Sequence, residues 1–536
     1  MSPAPQENAT FIQHRQRYAI CKEEPFPYNA KTMNKPKPFY EKFIKKPAAA
    51  HPRNTRNEHA KPQSEHNNRT QKRYEQKSGP QFPQTPTPRS RYTASAAGRP
   101  VFSALVPEAK KILAEFPTIL AQVLPLDAKK KQLLPQHIHD LFHELTDERG
   151  TRKAQYLNNP IKLSAYTHYY VWWNLVRLTK LLQNLDIRLT DGDYAADFGS
   201  GPLTFICALW IAKPELRSKQ LTWYCVDISN KALSFGEDLF LALCAYTAQT
   251  APEAQSPWRI KKICGAFGAD LTEKVSFVTE ANMFNEIFWN SPLSLDEQAE
   301  KTGRILMRCL QPNASVLLIE PGIPLAGEFL SLVRAQLLEN GFAVSAPCPH
   351  HSVCCFPNRP DAALSAKVPV AHHKWCHFTF ETSDLPKNLL KLSEAAKLGK
   401  ERASLSFLFC TLGSAPESTE TTVSSLKKEP HAESEYHPKH PKDAAARSRP
   451  LGSADSSKQA LHEIPVRICS DIIEPEPRTI GRYACSEKGF ILITTPAYKD
   501  SILNTAISGT LLMLPAESIN IHHRDKKTQA LLVQLG

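Results

Sequence analysis

The sequence predicts an α/β protein built on a Rossmann-like sheet, with a helical cap ahead of it and a small β segment behind. Three observations carry that prediction. Short apolar runs alternate with helical stretches between residues 189 and 345, the rhythm of a parallel sheet covered on both faces. The first run ends in Asp197-Phe198-Gly199-Ser200-Gly201 and turns into the apolar helix PLTFICALWIA. The next run, LTWYCVDI, ends in Asp227. Strand, G-x-G, helix, strand and acid, in that order, is how nucleotide sites are built in this fold class.

Taken in order, residues 1–98 come first. They are rich in Pro, Gln, Asn, Lys and Arg, and no hydrophobic period persists in them. Such a segment buries too little apolar surface to offset the entropy of ordering, so a disordered basic tail is expected. It carries most of the chain's net charge of +13. The aromatics Tyr18, Phe26, Tyr28, Phe39, Tyr40, Phe43 and Tyr74 alternate with its cations. Cations neutralise phosphates and rings stack on exposed bases, so this composition predicts RNA contact. The chain's 43 prolines against 20 glycines also point to structureless segments. No apolar run reaches the ~18–20 residues that a bilayer requires, and the amino terminus has no secretory apolar region. Neither a membrane span nor a secretory signal is therefore expected. The bacterial cytoplasm is the expected location, with the mitochondrial matrix as the alternative.

Residues 99–188 predict the helical cap. PEAKKILAEFPTILAQVL, LPQHIHDLFHELTDERG and LSAYTHYYVWWNLVRLTKLLQNL place apolar residues at three- and four-residue spacing, and Gly150 stops the second. Arg149 and Tyr166 are expected to pack the cap against the core. Residues 189–345 predict the sheet, through the strands YAADFG, LTWYCVDI, VSFVTE and SVLLIEPG. Gly199 and Gly201 are needed because a β-carbon would block the backbone's approach to a ligand. Asp227 is placed to accept hydrogen bonds from ribose hydroxyls. Asp197, Ser200 and Glu320 complete the expected cofactor-binding set. The third glycine of an NAD site is missing, since Gly199 and Gly201 are followed by Pro202, Leu203 and Thr204, and the acid before the first glycine suits S-adenosylmethionine (SAM) better.

Residues 346–412 form a cysteine-rich region. Cys348, Cys354, Cys355 and Cys376 fall close together, and Cys485 lies in GRYACSEKGF. In a chain of 13 cysteines with no export signal, clustered thiols read as metal ligands before disulfides. Four thiolates accept zinc or an iron–sulfur cluster. The spacing matches neither a zinc ribbon nor the bacterial ferredoxin run, so both metals stay open; His350, His373 and His377 are alternative ligands. Residues 413–462 are Ser/Glu/Lys/His-rich, a flexible insertion. Residues 463–536 alternate as short strands do, a small β segment that carries Cys485.

LTDERG, the AY of LSAYTHYY, DFGSGP, LIEPGIP with Arg334 downstream, APCPH, WCHF and GRYACSEKG follow one another along the chain. In that order they resemble the methyltransferase-like family of the small ribosomal subunit, found in bacteria and mitochondria. The resemblance implies a class I methyltransferase fold that binds SAM and embeds a 4Fe–4S cluster, with zinc as the alternative metal. Carried over by position, the ligands are Cys348, Cys354, Cys376 and Cys485. Cys354 is preferred because it keeps the family's spacing from Cys348, while Cys355 replaces a usual proline. Leu203 departs from a glycine of the family loop. The implied partners are small-subunit ribosomal RNA and the ribosomal particle, with no membrane and a monomer away from the ribosome. Base-methylating enzymes often carry an Asn/Asp-Pro-Pro-aromatic loop. ANMFNEIF, with Asn285 and Glu286, or the later LIEPG stands in its place, and neither supplies an evident base or nucleophile. The CxxxCxxC of radical-SAM enzymes is absent too. The expectation is an rRNA-binding assembly or translation factor, with an active SAM-dependent rRNA methyltransferase as the alternative and no catalytic residue assigned.

Overall fold

The computed structural model describes residues 93–96, 100–147, 155–250, 257–288, 291–356, 374–413, 462–499 and 501–536. The chain divides into two units, Met1–Thr85 and Pro86–Gly536, and every described residue belongs to the second. The basic tail with its aromatics, Arg149, His373 and the insertion over 414–461 lie outside the described residues.

The cap consists of α1 (Pro107–Val123), α2 (Ala128–Thr146), α3 (Pro160–Ala165), a π-helical turn (Tyr166–Val171) and α4 (Trp172–Leu182). The starts of α1, α2 and α3 are legible in side-chain chemistry. Pro107 opens α1 where a missing N–H costs nothing. Asp127 accepts from Lys130 N at 2.8 Å, and Asn159 caps both Ile161 N and Lys162 N. Ile112, Phe116, Ile119 and Leu120 form the buried stripe of α1. Trp172 Nε1 donates to Leu113 O at 2.8 Å and ties α4 to α1. The π turn inserts a residue into the helical ladder, a feature frequent at functional sites, and it carries Tyr166.

The strands of the central sheet are β2 (Tyr194–Phe198), β3 (Thr222–Asp227), β4 (Arg259–Cys264), β5 (Val275–Ala281), β6 (Leu310–Pro321), β7 (Phe342–Ala346), β8 (Phe378–Glu381) and β9 (Arg402–Leu412). Their order is β4-β3-β2-β5-β6-β9-β7, with β8 paired to β9. The pairs from β4 to β6 are parallel, while β9 is antiparallel to both β6 and β7. This is a Rossmann-like sheet. Helices α5 (Thr204–Ala212), α6 (Asn230–Thr250), α7 (Phe284–Ile287), α8 (Leu295–Cys309) and α9 (Pro324–Glu339) connect the strands. The chain runs outward from β2 through β3 to β4, then returns to the other side of β2 for β5 and β6. The crevice beyond the strand ends at that reversal is where ligands bind in open α/β sheets.

Two expected boundaries are corrected. Residues 346–412 are not a separate metal-binding region, because β9 inserts between β6 and β7 with Leu317 opposite Phe409. Its sequence, RASLSFLFCTL, is buried from Leu405 to Cys410. The tail expected to run to residue 98 ends earlier, since β1 (Ser95–Ala96) pairs with Met513 and Leu512. The polar edge strand β4, RIKKIC, lacks the apolar signature of its neighbours and has no counterpart in the sequence reading.

A second sheet holds β1 with β10 (Glu463–Ile468), β11 (Ile473–Glu476), β12 (Thr479–Ser486), β13 (Gly489–Pro496), β14 (Leu511–Pro515) and β15 (Leu531–Gln534). One hydrophobic core joins cap, central sheet and this β segment, running from Leu113 and Trp172 through Phe205 and Trp223 to Cys355, Phe356 and Phe490. Among the described residues no helix is long and apolar enough to cross a membrane.

Candidate functional site

The loop after β2 is held from both sides. Gly199 and Gly201 take positive φ of 71° and 49°, as their lack of a β-carbon permits. Gly199 N and Ser200 N donate to Val226 O at 2.8 and 3.1 Å. Asp227 then closes the turn: its Oδ2 accepts from Gly201 N at 2.9 Å and its Oδ1 from Ser229 N at 2.7 Å. Leu203 is fully buried and also left-handed, at φ 53°, an uncommon conformation for a side chain with a β-carbon. Beyond this loop lies a cavity of about 440 Å³, lined among others by Tyr166, Gly199, Gly201, Asp227, Ile228 and Phe267. Its size suits a nucleoside cofactor.

Gly236 on α6 packs directly against the loop. A β-carbon there would stand 2.5 Å from Pro202 C and 2.7 Å from Leu203 N. Both are backbone atoms that cannot swing away. Gly236→Ala is therefore expected to lower stability by about 1–3 kcal/mol and to shift the loop. Denaturant melts paired with SAM titration check this; a variant matching the parent in both would sink it.

The other expected cofactor residues fall into two groups. Ser200 and Asp197 lie beneath the loop rather than at the cavity's face, where Ser200 Oγ donates to Asp197 O at 2.6 Å. They border a polar pocket of about 20 Å³, room for about one water, shared with Tyr166 and Asn174. Burial pushes the Asp197 carboxyl up to about 8, with the Ser200 hydroxyl opposing and the Asp227 charge adding to the rise. Its Oδ2 has no hydrogen-bond partner.

Glu320, expected at the cofactor, is not among the residues that line the cavity. It is 0% exposed, and its two oxygens accept from Phe284 N at 2.8 Å and Asn285 N at 3.1 Å. Glu280, equally buried, accepts from Met283 N and, at 3.3 Å, from Phe284 N. The strand tips of β5 and β6 lie under α7, whose first amides lack helical partners, and the two carboxyls satisfy them. The pair in turn fixes Met283 at the cavity rim. Burial, then the neighbouring Glu320, pushes Glu280 far above the carboxylate range; burial pushes Glu320 up to about 7.

The thiols form a second centre. Arg334 on α9 donates to His350 O at 2.8 Å and Ser352 O at 2.9 Å, pinning the loop that carries Cys348, Cys354 and Cys355. Cys485 Sγ lies 3.7 Å from Cys355 Sγ and 3.3 Å from His350 Nε2. Cys354 Sγ lies 3.5 Å from Ser331 Oγ. Cys376 feels the charges of Cys469, Cys348, Cys354 and Cys485, so all of these thiols share one neighbourhood. Burial pushes Cys348 up to about 12 and raises Cys354, Cys376 and Cys469 as well. Cys485 alone is pulled down, to about 5, first by the hydrogen bond from Cys355 and then by His350. His377 is occupied otherwise, its Nδ1 meeting Trp375 O at 3.1 Å. Among the described residues no three His, Cys, Asp or Glu side chains converge as ligands of a single ion.

Sequence reasoning missed Cys469 and Arg467. Cys469 N donates to Tyr483 O at 2.8 Å, which brings its thiol beside Cys485. Arg467 ties the β segment to the cysteine loop through Pro347 O at 2.8 Å. The VRICSD stretch holds both residues, yet it gives no spacing signal because strand pairing alone unites it with the rest.

Residues 164–417 match the model of a family described as mitochondrial small ribosomal subunit Rsm22. No curated protein matches the chain. Among solved structures, the precorrin-6y C5,15-methyltransferase of Geobacter metallireducens is 14% identical, with 33% of this chain and 72% of that chain covered at a TM-score of 0.21. A methyltransferase of Pyrococcus furiosus is 14% identical, covering 42% of this chain and 78% of that one at a TM-score of 0.22.

Proposed function

We propose that this chain is a small-ribosomal-subunit assembly or translation factor whose methyltransferase-like domain binds SAM and whose thiols hold a structural 4Fe–4S cluster. The observation that carries the SAM reading is the cavity at the sheet's switch point with Asp227 at its edge. Each Asp227 oxygen already accepts one amide, yet a carboxylate oxygen has a second lone pair, so ribose hydroxyls have acceptors there. Ile228 and Phe267 offer apolar surface for a nucleobase, and Gly199 and Gly201 admit the rest of the cofactor against bare backbone. SAM itself supplies an activated methyl group.

The donor set fits an iron–sulfur cluster. Zinc draws its ligands to ~2.3 Å from one point, whereas a cluster takes each thiolate at its own iron. The choice of iron over zinc rests on the family that the cysteine motifs resemble. Cys348, Cys354, Cys376 and Cys485 would hold it. Arg334 and Arg467 sit beside them and would offset its negative charge, and the buried Arg334 Nε and His350 Nδ1 lack partners, as expected where a further group completes a site.

The matched family's description supports the small subunit as partner and the mitochondrial matrix over the bacterial cytoplasm. Ribosomal RNA is the proposed contact, through the basic composition of the chain. Methylation of that RNA is the second reading, favoured by the carboxylate of Glu286, which lines the same cavity and can take a proton.

Calorimetric titration of the anaerobically purified chain with SAM tests the cavity. One site is expected, weakened about 10- to 100-fold in Asp227→Ala, the worth of a hydrogen bond to a charged group. Equal binding by both proteins would end the reading. Transfer of labelled methyl to isolated small subunits would move the assignment to the enzyme; stoichiometric binding without turnover would keep the factor.

A further inference from the structure

We infer that His139 and His143, one turn apart on α2, form a binding site for a single zinc-class divalent cation. The argument rests on where their protons must be. His139 Nδ1 lies 3.0 Å from Ala396 O, and His143 Nδ1 lies 2.6 Å from Asp147 Oδ2. A backbone carbonyl and a carboxylate only accept, so both Nδ1 atoms carry the proton. In the neutral rings both Nε2 atoms are then bare lone pairs. They face each other at 3.2 Å. Two lone pairs at that separation repel unless a positive charge lies between them.

The ring geometry lies closer to a shared metal ion than to a linear shared proton. A shared proton wants a linear N–H···N, with both ring axes along the N···N line, which would put the ring centroids about 5.5 Å apart. The centroids are in fact 4.7 Å apart, with the ring planes at 82°. The two axes are therefore bent and meet beside the N···N line. An ion ~2.0–2.1 Å from each nitrogen would subtend about 100° and set the centroids about 5 Å apart, close to what is found.

The surroundings match the same chemistry. Ligating histidines usually donate their other N–H to a carboxylate or backbone carbonyl, which fixes the tautomer and raises basicity. Here one ring has each kind of partner. Imidazole pairs suit zinc, copper or nickel better than magnesium or calcium. Other acids on this helix are engaged elsewhere: Asp140 accepts from Gln136 at 2.7 Å, and Glu144 pairs with Lys162 at 2.5 Å. With no third protein ligand among the described residues, the remaining coordination positions go to solvent. The ion would staple one turn of α2. Through His139 it would also fix α2 against the end of α10 (Lys387–Ala395).

The test is zinc titration of the full chain, with bound metal counted by mass spectrometry, beside His143→Ala and Asp147→Asn. His143 is 48% exposed, so its truncation is expected to fold. Zinc taken up by the thiols is common to all three proteins and cancels in the difference. The parent should bind one more zinc per chain than His143→Ala, and Asp147→Asn should keep that site with about 10- to 100-fold weaker affinity. Equal zinc content in the parent and His143→Ala would overturn the assignment. So would ring-nitrogen NMR resonances of the pair that stay unmoved by zinc, since the pair would then hold only a proton.

Discussion

Cys485→Ser is expected to cost the protein its colour, its iron and most of its soluble yield together. Cys485 sits on β12, mostly buried, and is the one thiol of the group drawn toward the thiolate, by Cys355 and His350. A serine hydroxyl keeps its proton and offers iron a far poorer donor. The loss is large because metal-binding energy at such a site is folding energy; for structural zinc it is on the order of 10 kcal/mol or more. The proposed site would join three parts of the fold, since its ligands would come from the loop after β7, the approach to β8, and β12. Losing it removes a tie between the central sheet and the β segment. Anaerobic absorbance, iron and sulfide analysis and a melting curve provide the readout. Full iron content in the variant would reject Cys485 as a ligand, and loss of iron with folding and RNA binding intact would reject the structural role. Cys355→Ser is the companion measurement. It should keep the iron if Cys354 is the ligand; the opposite result would exchange the two neighbours.

What the sequence revealed was what is local. Gly199, Gly201 and Asp227 stand in contiguous strand-turn-helix grammar, and the structure places them around one cavity. Asp197 was readable as an acid before the loop, but its burial under Ser200 depends on the β2 neighbours on either side. Glu320 looked like a strand-tip ligand because its partner could not be seen. Glu280 ends the adjacent strand, and only the β5–β6 register, Glu280 opposite Leu318, brings the two carboxyls together under α7. β9 was hidden for a similar reason. Its sequence is strand-like, yet it lies far beyond β7 and pairs back into the middle of the sheet. Cys469 likewise has no neighbour in sequence and acquires its companions through β10–β12 pairing.

Glu320→Gln is expected to reverse the sign of its effect between acidic and basic pH. The folded Glu320 carboxyl is held at about 7 by burial, against an ordinary value of 4.5. Below pH 4.5 both states are protonated and the shift contributes nothing. Between about 4.5 and 7 the unfolded chain has released a proton that the folded chain still binds, so stability falls as pH rises through that window and stays reduced above it. An amide is neutral throughout and removes this penalty, on the order of 1–3 kcal/mol at pH 8 for so buried a group. The substitution also has a fixed cost. Its NH2 cannot accept from Asn285 N as the second carboxylate oxygen does, which loses about 1 kcal/mol at every pH. The variant should thus be less stable than the parent near pH 4.5 and more stable near pH 8, as urea melts at the two values would record. An equal difference at both would mean that Glu320 ionises normally. Glu280→Ala separates the pair's second role: it strips the acceptor from Met283 N without supplying another, while Phe284 N keeps Glu320, so stability should fall at both pH values. Because that amide bond holds Met283 against Gly199, where a β-carbon would stand 2.7 Å from Met283 Cβ, SAM affinity should fall with it.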